Sequence, residues 1–201
     1  GEKDLRTTVS ALFEKLNIPS EDARQAADVL VAADLRGVDS HGVSNMLRNY
    51  VNQYQSGQIN PRPNMRVIRE TPGTANLDSD RGLGIITAPK GMDLAIKKAK
   101  EVGVGIVTLA NARHLGMASY HAMRALEHDM IGVCMTSCPP RVLPTFGAEQ
   151  RLGTNPIAVA VPANKEPPFV FDAATSSVAV NKIEIARRLG AKLEPGWLAA
   201  E

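Results

Sequence analysis

The sequence predicts an α/β protein in which a helical N-terminal unit precedes a domain of alternating strands and helices. Three observations carry that expectation. The first sixty residues place apolar side chains at helical spacing, and from Met65 onward short apolar runs alternate with amphipathic stretches. Between them stand the breakers Gly57, Pro61 and Pro63. The boundary therefore falls there, with residues 1–60 as the helical unit and 61–201 as the α/β domain.

Taken in order, Lys3 to Leu16 sets Leu5, Val9, Leu12, Phe13 and Leu16 on one helical face, and Ile18-Pro19 interrupts it. Ser20 reads as an N-cap, with Glu21 and Asp22 in a first turn whose dipole favours carboxylates. Ala23, Ala26, Ala27, Leu30 and Val31 carry that second helix to about Arg36, where Gly37 stops it. Met46, Leu47, Tyr50, Val51 and Tyr54 make Val43 to Gln55 a third helix.

In the second part, Met65–Arg69 and Thr74–Leu77 are short strand candidates. Thr87 to Val102 is an amphipathic helix with Ala88, Met92, Ala95, Ile96 and Ala99 inward and Lys97, Lys98 and Lys100 outward. The apolar runs Gly103–Leu109 and Ile131–Thr136 read as buried strands, and Met117–His128 between them as a helix. Strands over Pro156–Val161 and Phe169–Asp172 and a helix over Ser176–Leu189 complete the pattern.

Composition narrows the function. Hydrophobic residues make up 44% and charged residues 22%, a globular balance. The net charge of +2, the absence of basic runs and an aromatic content of 4% argue against a nucleic-acid platform. No apolar stretch is long enough to span a membrane. Two cysteines, Cys134 and Cys138, do not make a disulfide scaffold, and a reducing, cytoplasmic compartment is expected.

Neither a phosphate-binding P-loop, a zinc-protease signature, a G-x-S-x-G elbow nor a complete G-x-G-x-x-G is present. Two histidines have suggestive settings. His41, in Asp39-Ser40-His41-Gly42, stands at a helix entrance whose free N–H groups suit an anion, although Ser40 or Asp39 as a simple cap, with His41 exposed, is the better explanation of the spacing. His114 directly follows an apolar run, where open α/β sheets place ligands, and an imidazole there can exchange a proton with a hydroxyl or carbonyl oxygen, although a loop histidine that hydrogen-bonds the backbone explains it equally. His114, His121 and His128 recur every seven residues, which on a helix spreads them about 10 Å apart and disfavours a shared metal. No metal site is expected. Gly153-Thr154-Asn155-Pro156 and Asp172-Ala173-Ala174-Thr175-Ser176 are turns whose hydroxyls and N–H groups could hold a phosphate or ribose. A helix cap at Thr175 or Ser176 is the structural alternative.

Six ordered runs, RGVDSHGV (Arg36–Val43), GQINPRP (Gly57–Pro63), NARHLG (Asn111–Gly116), LGTNPIA (Leu152–Ala158), FDAATS (Phe171–Ser176) and NKIEIA (Asn181–Ala186), resemble the malate/L-lactate dehydrogenase family over nearly the whole chain. This is the family of sulfolactate and ureidoglycolate dehydrogenases, unrelated to Rossmann-type malate dehydrogenases. The resemblance implies a non-Rossmann nicotinamide-binding α/β domain, NAD or NADP as cofactor, a small 2-hydroxy or 2-oxo acid as substrate, and a homodimer with sites completed across subunits. It implies His114 as the acid–base, and Ser40 and His41 as the substrate-side motif. Cys138, Thr154, Asn155, Asp172, Ala173, Ala174 and Thr175 would lie along the cofactor. Where many members carry an arginine, four residues after the motif histidine, this chain has Asn45. Arg48 on the same predicted helix is the candidate replacement for clamping a carboxylate. Family chains also continue through a C-terminal segment beyond the position of Glu201. The expected activity is thus that of an NAD(P)-dependent 2-hydroxyacid dehydrogenase. A catalytically silent relative acting as a dimerising or binding module is the alternative.

Overall fold

The computed structural model describes residues 1–198. The N-terminal part folds into three helices, α1 (Glu2–Glu14), α2 (Ser20–Leu35) and α3 (Val43–Gln55), with a 3-10 turn over Asp39–His41 between the last two. α3 starts and ends where the apolar stripe of Met46, Tyr50 and Tyr54 predicts. Ser20 is not the N-cap of α2; it is the first helical residue, Pro19 occupies the cap, and no side chain closes that end. The fixed backbone of proline makes the turn, so a side-chain cap is not required.

A hairpin of β1 (Arg66–Glu70) and β2 (Thr74–Asp78) leads into α4 (Gly84–Val102), which crosses over to β3 (Ile106–Ala110). β1 pairs antiparallel with β2, and β2 parallel with β3. α4 starts a turn earlier than the sequence suggests, which leaves Pro89 in its second turn rather than its first. The helix tolerates the lost N–H bond because Leu83, Ile85 and Ile86 at its start are fully buried. They join Phe13, Val29, Leu30, Tyr50 and Ile59 in one core shared with α1–α3.

Lys98 corrects the outward assignment of the α4 lysines. It is 5% exposed, with its ammonium donating to Glu70 Oε1 and to the Thr71 carbonyl, both at 2.7 Å. The long stem lies along the hairpin and its tip finds two acceptors, which periodicity alone does not reveal.

The predicted helix over Met117–His128 is shorter: α5 (Ala118–Met123) passes into a 3-10 turn over Arg124–His128. β4 (Gly132–Met135), β5 (Ile157–Val161) and β6 (Phe169–Ala173) form an antiparallel meander. Ala118 and Ala122 of α5 pack on Ala158 and Ala160, small residues that seat the helix close to the sheet. The apolar runs around β3 and β4 are not buried on both faces as expected. Ile106 is 56% and Met135 66% exposed, because each sheet is covered by a helix on one side only. The last helix, α6 (Val180–Leu189), begins four residues later than predicted, and 176–179 run in non-helical conformation before it. Among the described residues no helix is long and apolar enough to cross a membrane.

Candidate active site

The 3-10 turn leaves Ser40 and His41 half-buried between α2 and α3. Asp34, near the end of α2, accepts the Val43 N–H at 3.0 Å and so caps α3 from nine residues upstream. The N-cap residue is Gly42, where a Cβ would stand 1.6 Å from Asp34 Oδ1. The free anion-binding helix entrance expected at His41 is therefore already filled by a carboxylate, and neither Asp39 nor Ser40 caps the helix. Burial raises the pKa of Asp34 despite that N–H bond, and the nearby Asp39 pushes it the same way.

Ser40 Oγ lies 2.8 Å from His41 Nδ1, and Asn45 donates its side-chain amide to the Ser40 carbonyl at 2.9 Å. His114, just past the carboxyl end of β3, stacks on His41 with ring centroids 5.4 Å apart and planes 14° from parallel. Its Nδ1 meets the Tyr50 hydroxyl at 2.7 Å and receives the Gly116 N–H at 3.3 Å. Gly116 adopts φ +75°, which side-chain-bearing residues rarely do, and that turn aims its N–H at the ring. His114 Nε2 has no protein partner among the described residues, yet it is not sealed off as His121 Nδ1 is.

Burial, with a smaller share from repulsion by His41, lowers the pKa of His114 to about 4. His41 is lowered by burial too, with Asp172 pulling the other way. Both rings are neutral near pH 7.

Antiparallel pairing aligns Ile157 with Ala173, so the turn before β5 meets the end of β6. Thr175 gives both its N–H and its hydroxyl to the Thr154 carbonyl, and Asn155 Oδ1 accepts the Cys138 N–H at 2.9 Å. Neither Thr175 nor Ser176 caps α6, whose N-cap is Ala179. Asp172 Oδ2 accepts the Ser119 N–H at 2.7 Å, at the start of α5.

These elements enclose a cleft of about 350 Å³ whose walls include Ser40, His41, Thr154, Asp172, Ala173 and Lys182. Ala174 lines it as well, and Lys182 is the only Lys or Arg among the lining residues. His114 sits one ring behind His41. Asn45, Asn155 and Thr175 brace the walls from behind, while Cys138 and the exposed Arg48 lie outside the lining. Tyr50, Asp34 and Lys182 are site residues that the sequence analysis missed. Tyr50 reads as one more member of a buried stripe, and only its phenolic tip makes it more than that.

The remaining reactive groups lead elsewhere. His121 is buried, with Nε2 2.7 Å from the Leu115 carbonyl, and His128 faces Lys100. Among the described residues no group of three or more His, Cys, Asp or Glu could hold a metal. Cys134 is pushed up to about 12 by burial, aided by Asp172, and stays a thiol. A larger groove, about 1180 Å³, lies between α1, α2 and α4, but many of its charges pair with one another, as Lys90 does with Asp22 at 2.6 Å and Arg124 with Asp93.

A family model described as malate/L-lactate dehydrogenase matches residues 2–201. A malate dehydrogenase of Pyrococcus horikoshii is 51% identical over 186 residues, 92% of this chain and 51% of the relative. An L-sulfolactate dehydrogenase of Methanocaldococcus jannaschii is 45% identical over 185 residues, 92% of this chain and 53% of the relative. The solved malate dehydrogenase of Entamoeba histolytica superposes with a TM-score of 0.94 at 36% identity, covering 98% of this chain and 55% of that one. The chain thus spans about half the length of the curated relatives it matches.

Proposed function

The chain belongs to the malate/L-lactate dehydrogenase family, and from that premise we propose that the full protein is an NAD(P)-dependent 2-hydroxyacid dehydrogenase with His114 as its acid–base. The observation that carries this reading is the stacked His41–His114 pair at the cleft, each ring with Nδ1 beside a hydroxyl.

The cleft suits a nicotinamide cofactor. Hydroxyls of Thr154 and Ser176 and the Lys182 ammonium offer partners for ribose and phosphate, and Ala173 and Ala174 leave room for a flat ring. When bound, the nicotinamide supplies the hydride donor or acceptor. The chain's own task is the proton. In the oxidising direction neutral His114 takes the substrate's hydroxyl proton on Nε2. In the reducing direction the imidazolium returns it to the oxo oxygen. Burial keeps the ring neutral and ready as a base, while a substrate carboxylate beside the pair raises its proton affinity for the reverse step. Ser40 and His41 form the substrate wall. With Arg48 turned to solvent, Lys182 is the cation on hand for an anionic substrate or cofactor group.

Names of the relatives support malate-like and sulfolactate-like acids as the substrate class, and they do not favour a silent binding module. A homodimer fits the exposed apolar face of the second sheet, where Val133, Met135, Phe169 and Phe171 are all uncovered. The two free cysteines fit a reducing, cytoplasmic setting. The test is a substrate panel. The full-length protein should reduce at least one small 2-oxo acid with NADH or NADPH. No reduction of any member by folded protein overturns the proposal.

A further inference from the structure

We propose that Tyr50 is the positioning residue of the acid–base, its hydroxyl serving His114 Nδ1 as donor in one protonation state and as acceptor in the others. The inference rests on the dehydrogenase reading for its consequence in turnover, but its structural content stands on the geometry of α3 and the turn after β3.

Three facts build it. Tyr50 is fully buried in the core of α1–α3, so its ring cannot swing away. Its hydroxyl stands 2.7 Å from His114 Nδ1, and His114 is its only hydrogen-bond partner among the described residues. The second neighbour of Nδ1 is the Gly116 N–H, which can donate but never accept.

That asymmetry decides the chemistry. With Nδ1 bare, both the Gly116 N–H and the Tyr50 O–H can donate to it, and the proton sits on Nε2. Once the ring carries a proton on Nδ1, as a base with a bare Nε2 or as the imidazolium, that N–H needs an acceptor. Among the described residues only the Tyr50 oxygen is within reach, and a hydroxyl rotor supplies it by turning. The proton balance then closes: the ring with its proton on Nδ1 gains the substrate's hydroxyl proton at Nε2, and the imidazolium surrenders the same proton in reverse. Tyr50 keeps its own proton throughout, as a phenol raised by burial must.

Other charged or titratable groups facing the pair do not duplicate this role. His41 stacks on one face of the ring and repels the cation. Asp172 acts on His41. Tyr54, with Asp22 behind it, adds only to the pressure against ionising Tyr50. The Arg113 guanidinium donates to the Gln58 carbonyl.

Tyr50→Phe removes one oxygen and keeps the ring, so it tests the hydroxyl and not the packing. Tyr54→Phe on the same helix is the control. Imidazole nitrogen-15 spectra of the full-length protein, free of substrate and cofactor, read the tautomer and titration of His114. Tyr50→Phe should hold His114 as the Nε2–H tautomer and lower its titration by about one pH unit or more, because an imidazolium Nδ1–H is left unpaired. Tyr54→Phe should change neither. In turnover, kcat should fall about tenfold or more with KM nearly unchanged. An unchanged His114 spectrum in folded Tyr50→Phe overturns the inference, even if the protein is an active dehydrogenase. An altered spectrum in Tyr50→Phe, with no turnover in the wild-type protein, upholds the tautomer control and overturns the dehydrogenase reading instead.

Discussion

His41 and His114 lie face to face, 5.4 Å between ring centroids, so a proton on one ring is felt at once by the other. Two cations at that separation repel strongly in a partly buried site, and the pair holds one positive charge at most near neutral pH. His41 forms the cleft wall and His114 stands behind it. The two rings are therefore electrostatically coupled, with His41 in front and His114 behind.

Replacing His41 with Asn removes the repulsion but leaves most of the burial. The pKa of His114 should rise from about 4 and stay below the ordinary 6.5, since burial is the larger cause. Nitrogen-15 titration of His114 in the variant checks this. A fall, or no change, contradicts the coupling.

The Asp34 cap and the Gly42 close approach make a second prediction. Gly42→Ala forces Asp34 from the Val43 N–H and should cost about 1–3 kcal/mol. Asp34→Ala should cost about 1 kcal/mol, because it loses the cap without a clash. Urea denaturation of the two variants should preserve that order, and activity should fall most in Gly42→Ala, which displaces Ser40 and His41.

Acid should destabilise the fold through two histidines. His114 and His121 both titrate near 4 in the folded chain against 6.5 ordinarily, so the unfolded chain binds more protons between those values. Stability should thus decline as pH falls from 6.5 toward 4 and level off below for these groups. Each contributes on the order of 3 kcal/mol over that window. His121→Gln should flatten the decline measured by urea titration at several pH values, and an unflattened decline counts against the assignment.

On the far side of α4, removing either partner of the Lys98–Glu70 pair should not cost the same. Lys98 has a side chain 7% exposed and Glu70 one 50% exposed. Glu70→Ala strands a buried ammonium on the Thr71 carbonyl alone and should be the more destabilising of the two. Lys98→Met lets Glu70 relax into water and should cost about 1 kcal/mol or less. Thermal unfolding of both variants reads the order directly.

What the sequence makes legible follows the range of the interaction. The α3 stripe, the three N-terminal helices and all six strands are patterns of neighbours, and each is found within a few residues of its expected place. His114 past a strand end and the turns at Thr154 and Asp172 are equally local. Features that need two distant segments are not legible in the same way. Asp34 caps a helix it does not belong to, Lys98 finds Glu70 and Thr71 on a hairpin, and Tyr50 meets a histidine 64 positions away. The uncovered faces of β3 and β4 belong with them, since an apolar run reports that it wants cover and not which side receives it.

His114 is the residue on which the proposed chemistry depends most. In the full-length protein, compare wild type with His114→Ala in the reduction of a 2-oxo acid, following loss of the reduced nicotinamide, and measure cofactor affinity separately by calorimetry. Turnover should fall about a hundred- to ten-thousand-fold while cofactor affinity holds within a few-fold. A folded variant that turns over at the wild-type rate would contradict His114 as the acid–base.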